Sequence, residues 1–104
     1  MVDFGPPAGP EQAGVRPAII LQEDALNQTL PTLIVAPLTT KIRRLSIPTT
    51  LLLSAGEGGL AQDSVVLCHQ VQVRGKARLQ SRLGLLSPER FDEVRNGVLA
   101  AFGL

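Results

Sequence analysis

The sequence contains no tryptophan and no tyrosine, and only three of its 104 residues are phenylalanine. A core built from it must be aliphatic, and a platform of aromatic rings for stacking bases is disfavoured. The single cysteine, Cys68, excludes an internal disulfide, and the single histidine, His69, cannot build a zinc site. We therefore expect a protein that needs neither a metal ion nor another cofactor.

Long apolar runs are also lacking. The longest, such as residues 33–38, have the length of a strand, whereas a membrane-spanning helix needs roughly 20 residues. The first ten residues carry neither the basic region nor the apolar run of an export signal. With 44% hydrophobic residues and a formal net charge of +1, the chain is expected to be a single cytoplasmic domain spanning residues 1–104.

The aliphatic residues are arranged in strand-length segments separated by proline, glycine and polar residues. Pro17 has no backbone N–H, which favours an edge position or the start of a strand, and Pro37 is expected to lie near a strand end. Residues 22–31 are polar and predict a loop. Strands are predicted over residues 15–21, 32–39, 49–53 and 64–73.

The clearest element is a helix near the end of the chain. Ser87 is a favourable N-cap and Pro88 suits the first helical position, while Gly103 can end the helix. Between them, apolar residues recur at helical spacing: Phe91, Val94, Val98 and Phe102. Such a helix needs a sheet to cover, and no βαβ alternation is present. The pattern predicts a small, bent antiparallel sheet with one helix packed on it.

Charge is distributed unevenly along the chain. Residues 41–82 hold seven basic and two acidic side chains, and the remainder holds three basic and seven acidic ones. A basic middle segment is suited to binding phosphates, which dominate nucleic-acid affinity. A solvated face that keeps the protein soluble accounts for the same pattern, and charge alone favours that simpler interpretation.

Few motifs with catalytic chemistry are present. Cys68 and His69 are adjacent, and neighbours on a strand point to opposite faces, so they do not form a nucleophile–base pair; Cys68 is expected in the core. Arg16 begins an apolar strand, where its head must reach water or an anion. Thr39 and Thr40 end the next strand. The residues by themselves thus predict a β-rich domain with a candidate anion site.

Three strings of residues, taken in their order and spacing along the chain, indicate more about function than the composition does. Residues 9–22 are G-P-E-Q-A-G-V-R-P-A-I-I-L-Q, and residues 34–39 are I-V-A-P-L-T. Residues 59–70 are G-L-A-Q-D-S-V-V-L-C-H-Q, followed by K-A-R-L at 76–79 and L-G-L-L-S at 83–87. Together they resemble the MazF/PemK family of toxin endoribonucleases over nearly the whole chain.

The resemblance implies a mainly β fold, a small SH3-like barrel of the CcdB/PemK kind with a C-terminal α-helix. It implies a homodimer that cleaves single-stranded RNA without metal and is held in check by a MazE-like antitoxin, with operator DNA bound through the toxin–antitoxin complex. In that family the arginine and threonine matching Arg16 and Thr39 carry the chemistry. The implied reaction is attack of the ribose 2′-hydroxyl on the adjacent phosphate, giving a cyclic phosphate and a free 5′-hydroxyl.

Further residues are candidates through the same resemblance. His69 stands where some members keep an acidic residue, and is a candidate catalytic acid or base. Gln72 and Gly75 replace the arginine and aspartate usual in the family, and only Val2, Asp3 and Phe4 remain of its first strand. The candidate RNA-binding residues are Glu11, Gln12, Thr40, Lys41, Arg43, Arg44, Gln70 and Lys76.

Two other functions remain open at this point. CcdB, a protein poison of DNA gyrase, shares the fold without nuclease chemistry, and fold alone does not separate the two activities. A catalytically inactive member that binds only its antitoxin and operator DNA is the other alternative, suggested by the short first strand. The R-P pair at residues 16–17 and the I-V-A-P-L-T string favour the nuclease.

Overall fold

The computed structural model describes residues 1–6, 14–22 and 24–104, and the fold is given for these. There are two α-helices, α1 (Asp24–Thr29) and α2 (Pro88–Ala101). Short 3-10 turns cover Ile42–Ser46, Glu57–Gly59, Cys68–Gln70 and Lys76–Arg78. The strands are β1 (Val2–Asp3), β2 (Val15–Arg16), β3 (Ala18–Ile20), β4 (Thr32–Thr39), β5 (Thr50–Leu53), β6 (Ser64–Leu67) and β7 (Gln72–Gly75).

Strand β4 organises the sheet. It pairs with β3, with β6 and with β7, while β5 continues the sheet from β6, and every pairing is antiparallel. Strand β1 pairs with β2 in a separate two-stranded sheet, and its Val2 also forms an isolated antiparallel bridge to Leu79. The predicted class, a small barrel-like β fold with a C-terminal helix, is confirmed.

Pro37 lies inside β4, although we expected the strand to end near it. The Leu38 N–H donates to the Pro17 carbonyl at 3.0 Å, so even-numbered residues of β4 direct their N–H groups towards β3. The nitrogen of Pro37 therefore faces the other edge. There β7 pairs as far as Val35 and β6 starts at Leu38, so Pro37 falls in the gap between them. The sheet loses no ladder hydrogen bond to this proline.

The two faces of β4 bury two aliphatic clusters. The main cluster lies between the sheet and α2, and the second lies under β1. Alternation along the strand divides the residues of β4 between them, as expected for a strand covered on both sides. The main cluster comprises Ala36, Leu38, Leu53, Leu60, Val66, Cys68 and Val94, and the second comprises Val2, Phe4, Leu33 and Val35.

Helix α2 begins and ends as its sequence predicts. The Ser87 hydroxyl accepts a hydrogen bond from the Arg90 N–H at 3.3 Å, and Pro88 occupies the first turn. Val94 is fully buried, whereas Phe102, the last predicted core position, is 68% exposed. Gly97 lets the helix approach the sheet, since a Cβ there would lie 2.8 Å from the Cys68 sulfur.

Two predictions of secondary structure were wrong. The polar residues 22–31 contain α1, because the buried Gln22 side chain donates to the Asn27 side chain at 3.1 Å and to the Thr32 carbonyl at 2.9 Å, which closes the segment into a compact turn. The strand predicted over residues 64–73 is broken by the turn Cys68–Gln70. Cys68 leaves the ladder there to pack against α2, its sulfur 3.7 Å from the Val94 carbonyl oxygen.

No helix in the described ranges is both long and apolar enough to cross a membrane.

Candidate active site

Arg16 and Thr39 are brought together by strand register. Strand β3 pairs with β4 so that Ala18 lies opposite Pro37, and the bond from the Leu38 N–H to the Pro17 carbonyl continues this register. One more step places Arg16 opposite Thr39. Opposed residues of an antiparallel pair project to the same face of the sheet. The two residues predicted to carry the chemistry are therefore neighbours, although they are 23 positions apart in the chain.

Thr39 closes β4 with an oriented side chain. The residue is 4% exposed, and its hydroxyl oxygen accepts a hydrogen bond from the Lys41 N–H at 3.2 Å. A hydroxyl that accepts one such bond still has its own proton to donate. Thr39 can thus hold a phosphate oxygen or a ribose hydroxyl, while Arg16, half-buried beside it, supplies a fixed positive charge.

A short basic segment leads away from Thr39. Thr40, Lys41 and Arg43 are exposed, and Arg44 is half-buried. Within the described part of the chain, the Arg44 Nε is a buried nitrogen without a hydrogen-bond partner. These four predicted RNA-binding residues lie next to the candidate catalytic pair, where a polyanion bound at Thr39 would continue.

Arg74 belongs to the same face, and sequence analysis did not propose it as a site residue. Strand β7 sets Gln72 opposite Val35 and Arg74 opposite Leu33, on the face that carries Thr39. The Arg74 guanidinium lies 5.6 Å from the centre of the Phe4 ring and donates to the Val73 carbonyl at 2.8 Å. No carboxylate among the described residues pairs with it. The two-residue step from Gln72 to Arg74 was the signal that could have identified it.

The remaining predicted site residues are spread over the molecule. His69 is exposed and Gln70 half-buried, both in the turn between β6 and β7. Lys76 lies at the opposite end of β4 from Thr39, where its ammonium group donates to the Asn27 carbonyl of α1. An eight-residue strand is about 25 Å long, so Lys76 is remote from the candidate catalytic pair. Glu11 and Gln12 lie outside the described residues.

Two other kinds of site, a reactive cysteine and a cluster of metal-binding side chains, are considered next. Cys68 is buried, and burial raises the pKa of its thiol to about 11, so it is protonated and unreactive at neutral pH. Among the described residues, no three His, Cys, Asp or Glu side chains come together in a group that could hold a metal ion.

Comparison with known proteins gives consistent matches along the whole chain. Residues 1–102 match the sequence profile of the PemK-like, MazF-like toxins of type II toxin–antitoxin systems. The endoribonuclease MazF of Staphylococcus saprophyticus is 38% identical over 104 residues, which are 100% of this chain and 87% of that protein.

Solved structures show the same fold. The Mycobacterium tuberculosis toxin MazF-mt6 is similar with a TM-score of 0.79 and 29% identity, covering 90% of this chain and 92% of that one. A chain from the MazE–MazF structure of Deinococcus radiodurans is similar with a TM-score of 0.77 and 27% identity, covering 99% of this chain and 89% of that one.

Proposed function

Because the chain belongs to the PemK-like, MazF-like toxins of type II toxin–antitoxin systems, we propose that it is an endoribonuclease that cuts single-stranded RNA without a metal ion. The observation that carries the proposal is the placement of Arg16 opposite Thr39 at the end of β4. A half-buried cation can stabilise the negative charge of a reacting phosphate, and an oriented hydroxyl beside it can hold one of the phosphate oxygens.

The proposed reaction is an internal transfer at phosphorus. The ribose 2′-oxygen loses its proton and attacks the adjacent phosphorus, the bond to the 5′-oxygen breaks, and that oxygen takes up a proton. The products are a 2′,3′-cyclic phosphate and a 5′-hydroxyl. Arg16 stabilises the negative charge that develops on the phosphorane oxygens, and Thr39 orients a phosphate oxygen or the 2′-hydroxyl.

Proton transfer needs a group other than these two. Arginine is a poor acid at its usual pKa, and a threonine hydroxyl is no strong base. His69 is the candidate on this chain, because its imidazole is exposed in the turn beside β4. In this proposal, His69→Gln lowers kcat and changes its pH profile, whereas a His69 that serves only as a surface residue leaves both unchanged.

The proposed path of the RNA strand follows the basic side chains on the surface. The basic segment that follows Thr39 contributes positive charge on one side of Arg16 and Thr39, through Lys41, Arg43 and Arg44. Arg74, whose guanidinium lies over the Phe4 ring, contributes a further positive charge on the same face of the sheet. Phosphate contacts of this kind position a strand without reading its bases. Gln70 and Gln72, next to this face, are suited to contacts with base edges.

The partners follow from the family. The solved MazE–MazF complex contains the antitoxin of a related protein, and we propose that a MazE-like antitoxin binds this chain in the cytoplasm and that the complex binds operator DNA. An acidic tail of such an antitoxin would compete with RNA for the same cations.

We also propose a homodimer formed through the face that α2 shares with β4 and β7. A hollow of about 390 Å³ lies there, lined by Leu21, Ile34, Val71, Val73 and Phe102 among others. Val73 is 57% exposed and Phe102 is 68% exposed, although both are large and apolar. A contiguous apolar patch of this kind is typical of a surface that pairs with another copy.

The test is cleavage of a long mixed-sequence RNA in EDTA, with the cut ends mapped. The native chain should give discrete cuts with cyclic phosphate ends, and Arg16→Ala should lose them by about 100-fold or more. Arg95→Ala is a matched control, because it removes one exposed arginine that pairs with Asp92 on α2; its cuts should be unchanged.

Intact RNA with a folded native chain would contradict the nuclease. If Arg16→Ala still arrests growth when expressed in cells, a gyrase poison becomes the better interpretation. If neither form arrests growth or cuts RNA while both bind the antitoxin, the chain is the inactive binding member.

A further inference from the structure

The side chain of Gln72 is held in one orientation on the face of the sheet that carries Thr39. Gln72 is half-buried and lies opposite Val35 in the pairing of β7 with β4. Its amide nitrogen donates to the carbonyl of Gln70 at 3.2 Å, which is the hydrogen bond of this side chain within the described ranges. A carbonyl only accepts, so the nitrogen of the amide, and not its oxygen, must face Gln70.

The same hydrogen bond turns the amide towards the candidate catalytic pair. Strands β4 and β7 are antiparallel, so a side chain that reaches back from Gln72 to Gln70 runs towards the Thr39 end of β4. Val35, the partner of Gln72, lies four residues before Thr39, a length of about 13 Å in a strand. The amide covers part of this length. It therefore lies beside the path of an RNA strand whose reacting phosphate is held at Arg16 and Thr39.

A base, and not a phosphate, is the part of the RNA that suits this position. Arg74 follows Gln72 by two residues on the same face, and its guanidinium has no carboxylate partner among the described residues. Gln72 thus lies between two cations that suit phosphates, Arg16 on one side and Arg74 on the other. An uncharged amide between two phosphate positions is placed to meet the base edge of the nucleotide that joins them.

The anchored amide keeps one donor and one acceptor for a ligand. A primary amide has two N–H donors and one carbonyl oxygen. With one donor engaged at Gln70, the side chain of Gln72 presents the second N–H next to its oxygen. Adenine offers the complementary pair on two of its edges, because its N6 amino group donates and its ring N1 or N7 accepts.

The bond to Gln70 also decides which class of base fits. Adenine and cytosine carry an exocyclic amino donor beside a ring acceptor, whereas guanine and uracil carry an exocyclic carbonyl beside a ring N–H. A freely turning amide matches either class, since turning it over exchanges its oxygen and nitrogen. In Gln72 that rotation would bring the amide oxygen against the Gln70 carbonyl oxygen, so one order of donor and acceptor is kept.

We propose that Gln72 is a specificity-determining residue, whose anchored amide selects adenine at one position near the cleaved bond. This proposal rests on the proposed nuclease function and names a feature of its substrate. A bidentate amide–adenine contact discriminates against the wrong base by about tenfold or more. Gln72 acts on the choice of sequence and not on the reacting atoms, so its substitution changes where RNA is cut.

The test maps the cut sites of the native chain and of Gln72→Arg in a long mixed-sequence RNA and aligns them on the cut. The native chain should show adenine enriched about tenfold at one position near the cut. Arginine offers donors only, which match the O6 and N7 acceptors of guanine, so the enriched base at that position should change from adenine to guanine. The preferences at all other positions should stay the same.

Gln72→Glu is a second variant of nearly the same shape, and urea midpoints show that each variant is folded. A glutamate has no N–H and cannot bind the Gln70 carbonyl, so the enrichment of adenine should be lost. The matched control is Gln28→Arg, which adds the same charge at an exposed glutamine of α1, at the end of β4 away from Thr39. Its cut sites should have the native sequence.

The outcomes separate this proposal from the nuclease itself. Discrete cuts without an adenine preference, or an adenine preference that Gln72→Arg leaves unchanged, overturn the proposal while the nuclease stands. Intact RNA contradicts the nuclease, and selection of bound strands from a random RNA pool then makes the same comparison. An adenine enriched by the native chain and replaced by guanine with Gln72→Arg supports the role of Gln72, and identical selected pools overturn it.

Discussion

At the residue scale, the Thr39 hydroxyl combines two tasks. It accepts the Lys41 N–H at 3.2 Å, which holds the turn into the basic segment. The register of β3 on β4, continued by the next backbone hydrogen bond and one further pair, sets Thr39 opposite Arg16. The first task is structural, and the second is the chemical task that we propose for this residue. Substitutions that keep the shape of the side chain separate them.

We expect Thr39→Val to lower kcat for RNA cleavage by about 10- to 100-fold while KM changes little, because valine fills the same volume without a hydroxyl. Thr39→Ser keeps the hydroxyl and should retain most of the activity. Initial rates of cleavage of one short RNA, measured under multiple turnover over a range of RNA concentrations, give both constants. A Thr39→Val chain that folds normally, by its urea midpoint, and keeps its kcat would remove Thr39 from the mechanism.

Arg74 makes a different contribution, through binding. Its guanidinium stacks on Phe4 and has no carboxylate partner among the described residues. We expect Arg74→Ala to raise KM several-fold with little change in kcat, and to lower the slope of log affinity against log salt by about one. Binding of a non-cleavable RNA at several salt concentrations measures the slope.

The control for Arg74 is Arg95→Ala, which removes an arginine paired with Asp92 at 3.1 Å on α2. Equal salt slopes for the two variants would mean that Arg74 does not contact the RNA.

At the scale of elements, an ion-pair network ties α2 to the turn after β5. The Arg90 Nε donates to Glu57 at 2.9 Å, and its guanidinium also reaches the Leu52 carbonyl and Glu93. The Ser54 N–H donates to Glu57 at 2.7 Å. This backbone bond, followed by the contact with Arg90, lowers the pKa of Glu57 from its ordinary value of 4.5.

A lowered pKa makes the Glu57 carboxylate stabilising above its ordinary pKa, and that stabilisation is lost as pH falls through the folded-state value. We therefore expect Glu57→Gln to be less stable than the native chain at pH 7, with the difference vanishing in acid. Urea midpoints measured from neutral to acidic pH give the curve. The control is Asp92→Asn, which removes an exposed ion pair and should leave the stability almost unchanged at every pH. A loss of stability in Glu57→Gln that does not vary with pH would contradict the ion-pair explanation.

The elements differ in how far their sequence determined them. Helix α2 was predictable because its cap, Pro88 and its apolar spacing are local signals. Strand β4 was predictable because six of its eight residues form one uninterrupted apolar run. Helix α1 was not predictable, because it depends on hydrogen bonds from the Gln22 side chain. The break at Cys68 was not predictable either, because it depends on packing against α2. The types of residue along the chain reveal neither contact.

At the scale of the whole molecule, the exposed apolar face around Phe102 and Val73 carries the proposed dimer. We expect Phe102→Ser to weaken dimerisation by about tenfold or more, because large aromatic side chains are among the few residues that contribute most of the binding energy of an interface. Light scattering over a range of concentrations measures the mass. Leu26→Ser, at an exposed leucine of α1, is the control. A native chain that is monomeric at all concentrations would refute the dimer.

By itself, the sequence determined the aliphatic core, the mainly β class and the position of α2, and its resemblance to a known family named the two residues expected to carry the chemistry. These depend on composition, on local periodicity and on motifs whose order along the chain is visible. Only the tertiary structure decided which residues meet. The register of β3 on β4 sets Arg16 beside Thr39, β7 brings Arg74 to their face, and Lys76 is held at the far end of β4 by α1. The physical reason is that strand pairing joins residues distant in sequence, and a shift of one residue in register moves every side chain to the other face.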